Sequence, residues 1–158
     1  MAVQVAVCGP ADCTEAEARD AHRVGELLAE RGVVVICGGG GGVMAAVAAG
    51  AGARGGLVVG IRPGDSAEGA SPGLSATIVT NMGEARNAII VHSADAVISV
   101  GGSWGTLSEV ALALRRGGVP VVSLNGWRVT RADGSPVPGV EHVASAEAAV
   151  EAALGPPR

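Results

Sequence analysis

The 158-residue sequence contains no lysine, and all eleven of its basic residues are arginine. Without a lysine amine there is no pyridoxal-phosphate Schiff base, no lysine-dependent aldol cleavage and no Walker A phosphate loop. Phenylalanine and tyrosine are absent too. A net charge of −4 and the lack of a base-stacking platform argue against a nucleic-acid partner. Cysteine is scarce: Cys8, Cys13 and Cys37 form no CxxC pair and have no histidine at metal-ligand spacing, so no metal site or resident cofactor is expected. Cys8 and Cys37, each closing an apolar run, read as small buried hydrophobes. Long apolar runs are also missing. Val3 to Val7 is too short for a signal peptide or a membrane span, and glycine interrupts the longer stretches, so the chain is read as cytoplasmic with no membrane partner.

What remains is an alternation of short aliphatic runs with helical patterns. The runs Val3–Cys8, Val33–Cys37, Leu57–Ile61, Ala76–Val79, Ala96–Val100 and Val119–Leu124 have the composition of strands covered on both faces. Between them, Thr14-Glu-Ala-Glu17 matches a capping box and opens a helix that stops at Arg31-Gly32. Further helices are expected from Val43 to Ala49, Met82 to Val91, Thr106 to Leu114 and Ala146 to Leu154. Arg62–Ser75 reads as a loop long enough to lie over a site, and Asn125–Gly139 as a loop or hairpin with Trp127 capping the sheet edge. Gly155 to Arg158 reads as a frayed tail. This pattern predicts one α/β domain over residues 1–158, a doubly wound, largely parallel, Rossmann-like sheet whose sites lie at the carboxyl ends of the strands.

Two glycine turns fall at such ends. Gly101, Gly102 and Gly105 sit in the bend from the Ala96–Val100 strand to the next helix, where free N–H groups can receive an anion. Gly38 to Gly42 join the second strand to its helix in the same way. Glu109 has two open roles. Thr106-Leu-Ser-Glu109 matches a capping box with Thr106 as the cap, and the same carboxylate stands close enough to the turn to act on a ligand. Arg86, among Ala88, Ile89 and Ile90, is either a snorkelling surface residue or a functional one.

Taken together, Gly38-Gly39-Gly40-Gly41-Gly42-Val43-Met44, Met82-Gly-Glu-Ala-Arg86-Asn87 and Gly101-Gly-Ser-Trp-Gly-Thr-Leu-Ser-Glu109 resemble the LOG-like family, long mislabelled as lysine decarboxylases. That family includes phosphoribohydrolases acting on cytokinin riboside 5′-monophosphates, molybdenum-cofactor carriers and the nucleotide-binding domain of DprA-type proteins. The resemblance covers about Val3 to Leu124. It implies a phosphate loop on Gly101, Gly102, Ser103, Gly105 and Thr106, essential side chains at Arg86 and Glu109, and Gly38, Gly39, Gly40 and Gly41 lining a nucleotide pocket. Val100 stands where the family's enzymes carry proline, and Asn87 follows Arg86 where they commonly carry lysine. These flanks resemble the carrier-like branch. The activity implied first is hydrolysis of a nucleoside 5′-monophosphate to free base and ribose 5-phosphate, with Glu109 stabilising the oxocarbenium-like state. The alternative is a carrier or sensor that holds a phosphorylated nucleotide or molybdopterin without reacting. A homodimer or higher homo-oligomer is implied as well.

Overall fold

The computed structural model describes residues 1–157. Strands β1 (Gln4–Cys8), β2 (Val34–Cys37), β3 (Val58–Arg62), β4 (Ala76–Val79), β5 (Ala96–Val100), β6 (Val121–Leu124) and β7 (Glu141–Val143) alternate with helices α1 (Glu15–Glu30), α2 (Val43–Ala53), α3 (Arg86–His92), α4 (Trp104–Arg116) and α5 (Ala146–Leu154). Every strand pairs in parallel, in the order β4-β3-β2-β1-β5-β6-β7. The chain winds outward from β1 in one direction and then returns to the other side. The switch point therefore lies between β1 and β5, where doubly wound sheets open a crevice for ligands.

Burial explains the layers. β5 is buried along its whole length, as a central strand covered on both faces must be. On one face Val5, Val7, Val35 and Ile98 pack with α1, α2 and α5. On the other, Ala6, Cys8, Ile36 and Val97 pack with α3 and α4. Helices α1 and α2 meet backbone to backbone, because a side chain at Gly25 or Gly50 would run into the carbonyl of Val47 or of His22. The Thr14–Glu17 capping box is formed in both directions, and α1 ends at Arg31 with Gly32 at positive φ, as its sequence predicts.

Several boundaries differ from the sequence expectation. Helix α4 begins at Trp104 and not at Thr106, because Ser103 is its N-cap: the Thr106 N–H donates to Ser103 Oγ at 3.1 Å. The Thr106–Glu109 capping box does not form. The segment expected as one helix from Met82 divides into a 3-10 turn at Gly83–Ala85 and α3. A seventh strand, Glu141–Val143, adds to the β6 edge; at three residues without an apolar run, it carries no strand signal. Between them an arm closes on an antiparallel bridge from Thr130 to Pro136. Trp127 does not cap the sheet edge but folds over Gly102. The tail is tied down at its start, since Arg31 donates to the carbonyls of Gly155 and Pro156, while Arg158 lies outside the described residues.

Candidate functional site

The carboxyl ends of β1, β2 and β5 bring Arg86 and Glu109 together beside the first glycine turn, Arg86 bonding the Gly38 carbonyl and its charge acting on Glu109. Arg86 opens α3 and points back to the sheet, where its Nη1 donates to the carbonyls of Gly38 at 2.8 Å and of Ile61 at 2.5 Å. Its Nε donates to Asn87 Oδ1 at 2.9 Å, and Asn87 in turn donates to Ser108 Oγ on α4. A surface arginine snorkelling to solvent would make none of these bonds, so that reading of Arg86 falls away.

Glu109 is 9% exposed on the buried side of α4. Burial pushes its carboxyl up to about 7, against the opposing pull of the Cys8 thiol and the Arg86 guanidinium, with Glu84 adding to the rise. The Cys8 thiol at the end of β1 is itself held well above its usual range, first by burial and then by the Glu109 charge. Cys37 is pushed up to about 11, chiefly by burial. Both cysteines are buried, as expected of small hydrophobes. The approach of Cys8 to Glu109 has no sequence signal, because the two residues are 101 positions apart.

Around the second turn, the open donors are shifted from the sequence expectation. Gly101 adopts positive φ, and the Glu17 carboxylate packs against its Cα. Gly102 is covered by the Trp127 indole, which meets Trp104 edge to face at 5.1 Å between ring centres. A side chain at Gly105 would meet only Ser103 Oγ, at 3.9 Å. Thr106 is buried, with its N–H taken by Ser103 and its hydroxyl 2.9 Å from Ser103 Oγ. The N–H groups left for an anion at the start of α4 are therefore those of Trp104 and Gly105, in the first turn where helical donors have no internal partner.

The first turn is more packed than open. Gly38, Gly39 and Gly40 are buried beneath Met44, Arg62, Leu74 and Arg86, so the close approach they allow is largely to the protein's own side chains. Gly41 alone of the four is exposed. The loop after β3 lies on this run, with the Ser71 N–H donating to the Gly39 carbonyl at 2.9 Å. Arg62, at the end of β3, was not singled out by its sequence context. It stacks against Gly39 and Gly40, and its Nε is buried without a partner. Among the described residues no group of three or more His, Cys, Asp or Glu is placed to hold a metal ion, and no helix is long and apolar enough to cross a membrane.

Comparison with known proteins establishes the family and the fold. An uncharacterised protein of Archaeoglobus fulgidus is 50% identical over 132 residues, covering 80% of this chain and 87% of that protein. The molybdenum cofactor binding protein of the phototrophic bacterium Rippkaea orientalis superposes with a TM-score of 0.85 at 33% identity, over 96% of this chain and 94% of that one. The molybdenum cofactor carrier protein of Chlamydomonas reinhardtii superposes at 0.79 and 30% identity, over 96% of both chains. The SLOG cluster4 family model matches residues 2–151, nearly the whole chain, and the protein belongs to that family.

Proposed function

We propose that this protein binds a phosphorylated small molecule of the nucleotide or pterin type and carries it intact, with the molybdenum cofactor as cargo. The observation that carries this reading is the engagement of Arg86. A catalytic arginine has to present its fork to the substrate. Here Nη1 and Nε are bound to Gly38, Ile61 and Asn87, which leaves Nη2 alone for a ligand and makes the side chain chiefly a strut between α3 and the ends of β2 and β3. Glu109, with its carboxyl raised to about 7, is only about half ionised at neutral pH and is a weak partner for a developing oxocarbenium ion. The likeness to two molybdenum-cofactor proteins over nearly their full lengths supports the same reading. The cargo's phosphate would sit on the N–H groups of Trp104 and Gly105, and its metal would stay with its own organic ligand.

A second reading is favoured by one observation. A carboxyl near 7 that feels the charge of an arginine is poised as a general base at neutral pH, which suits hydrolysis of a nucleoside 5′-monophosphate. One experiment separates the two. The purified protein is mixed with molybdenum cofactor released from a loaded enzyme, passed over a gel-filtration column and assayed for oxidised pterin fluorescence. In parallel it is incubated with a panel of nucleoside monophosphates and assayed for free base. Co-elution of the pterin without base release is the expected result, and release of base overturns the carrier reading.

A further inference from the structure

The parallel register aligns one residue from each of four neighbouring strands: Cys8 stands opposite Ser99, Ser99 opposite Ser123, and Ser123 opposite His142. Residues in register point to the same face of a sheet. Ser99, Ser123 and His142 therefore make a polar row beneath α4 that continues from the buried Cys8. The Cys8 end meets Glu109 and belongs to the site already described. The other end opens into a cavity of about 300 Å³ between α4 and the arm that follows β6.

The walls of this cavity are apolar, from Leu107 and Leu114 on the helix and Val129 and Val137 on the arm, and its floor carries Ser99, Ser123 and His142. The floor is polar without being used. Ser99 Oγ makes one bond, to the Val122 carbonyl at 3.4 Å. Ser123 is 3% exposed and makes no side-chain hydrogen bond among the described residues. Its hydroxyl is not sealed into the protein, where Arg62 Nε alone among the described residues is a buried side-chain polar atom without a partner; it faces the cavity and is free to bond a group that enters there. Burial holds the His142 imidazole below its ordinary range, helped by the charge of Arg128, so it is neutral at pH 7 and offers both a donor and an acceptor. The volume lies at the lower end of small-molecule sites and exceeds many times that of a water molecule.

The cavity also reaches Gly102, Ser103 and Thr106, so one wall is shared with the N-terminus of α4, and Trp127 stands at the boundary. We propose that this cavity is the pocket for a flat, largely apolar ring of the bound ligand, with a polar edge on Ser123 and His142 and an attached phosphate on the first turn of α4. The proposal rests on the reading of that turn as an anion site.

The composition supplies a probe, because with no tyrosine or phenylalanine the emission comes from Trp104 and Trp127 alone, both beside the turn. The protein is titrated with phenyl phosphate, inorganic phosphate and phenol while that emission is followed. Phenyl phosphate is expected to bind at least about tenfold tighter than inorganic phosphate, the scale of burying one ring. Ala111 lines the cavity from an exposed position of α4, so Ala111→Phe fills it without touching the turn. In that variant, with its melting temperature checked, the affinity for phenyl phosphate should fall to that of inorganic phosphate, which itself stays within about twofold of the parent protein. Ser123→Ala should weaken phenol binding while leaving phosphate binding unchanged. Equal affinities for the two phosphates in the parent protein, or an Ala111→Phe variant that binds phenyl phosphate as before, would overturn the pocket and leave the anion site standing. Phenol binding without any phosphate binding would overturn the anion site, and with it the joint site.

Discussion

Glu109 shows how a local pattern can suggest a cap that the fold does not use. Its sequence context offers a cap, yet Ser103 caps α4 and the glutamate is buried one turn further on. A glutamate titrates near 4.5 when unfolded and near 7 here. Between those values the native state keeps a proton that the unfolded state has released, so this residue lowers stability as pH rises through that window, with the full effect above pH 7. Glu109→Gln removes the titration. We expect the variant to be more stable than the parent at pH 8, by up to about 3 kcal/mol, and the gap to close below about pH 5. Urea unfolding across pH 4–9 measures this, and a difference independent of pH would show that the carboxyl is not raised. At the true cap, Ser103→Ala should cost about 1 kcal/mol at every pH. The same unfolding series reads both, and a Ser103→Ala variant as stable as the parent would remove Ser103 as the cap.

At the scale of elements, Arg86 ties the start of α3 to the ends of β2 and β3 through two carbonyls. Arg86→Ala leaves those acceptors short of a donor in a buried place, and about 2 kcal/mol of stability should be lost. It also removes a positive charge that holds the Glu109 carboxyl down, so that carboxyl should titrate above 7 in the variant. Carbon-detected NMR of the glutamate carboxyls follows the second effect, and an unmoved Glu109 titration would mean that the two side chains do not feel each other. Most elements were legible beforehand because buried parallel strands are continuous aliphatic runs: β1, β2 and β5 stand within a residue or so of where composition puts them. What escaped were features set by distant partners. Strand β7 forms only because β6 offers it an edge, and α4 starts early because Ser103 caps it despite the glycine at position 105. The glycine run after β2 was readable as a close approach, but not that Arg62, Met44 and Leu74 would be what approaches it.

On the scale of the whole molecule, the two faces of the sheet are covered unequally, by α1, α2 and α5 on one side and by α3 and α4 on the other. Strand β4 is the outer edge of the sheet and is largely exposed, with Ile78 49% and Val79 43% accessible and Met82 following at 51%. An apolar edge strand with unpaired backbone groups invites association, and native proteins usually blunt such an edge with charge or cover it. No charged residue lies between Ala76 and Met82 to blunt this one. The expected cover is a second copy of the chain, related by a two-fold axis so that the same patch faces itself. Light scattering at micromolar concentration should then give about twice the 15.3 kDa chain mass. Ile78→Lys puts a charge on each copy at the centre of that patch, and like charges brought together there repel. The variant should run as a folded monomer, with a far-ultraviolet circular dichroism spectrum unchanged from the parent. A parent protein that is monomeric, or an Ile78→Lys variant that stays dimeric, would remove β4 from the interface.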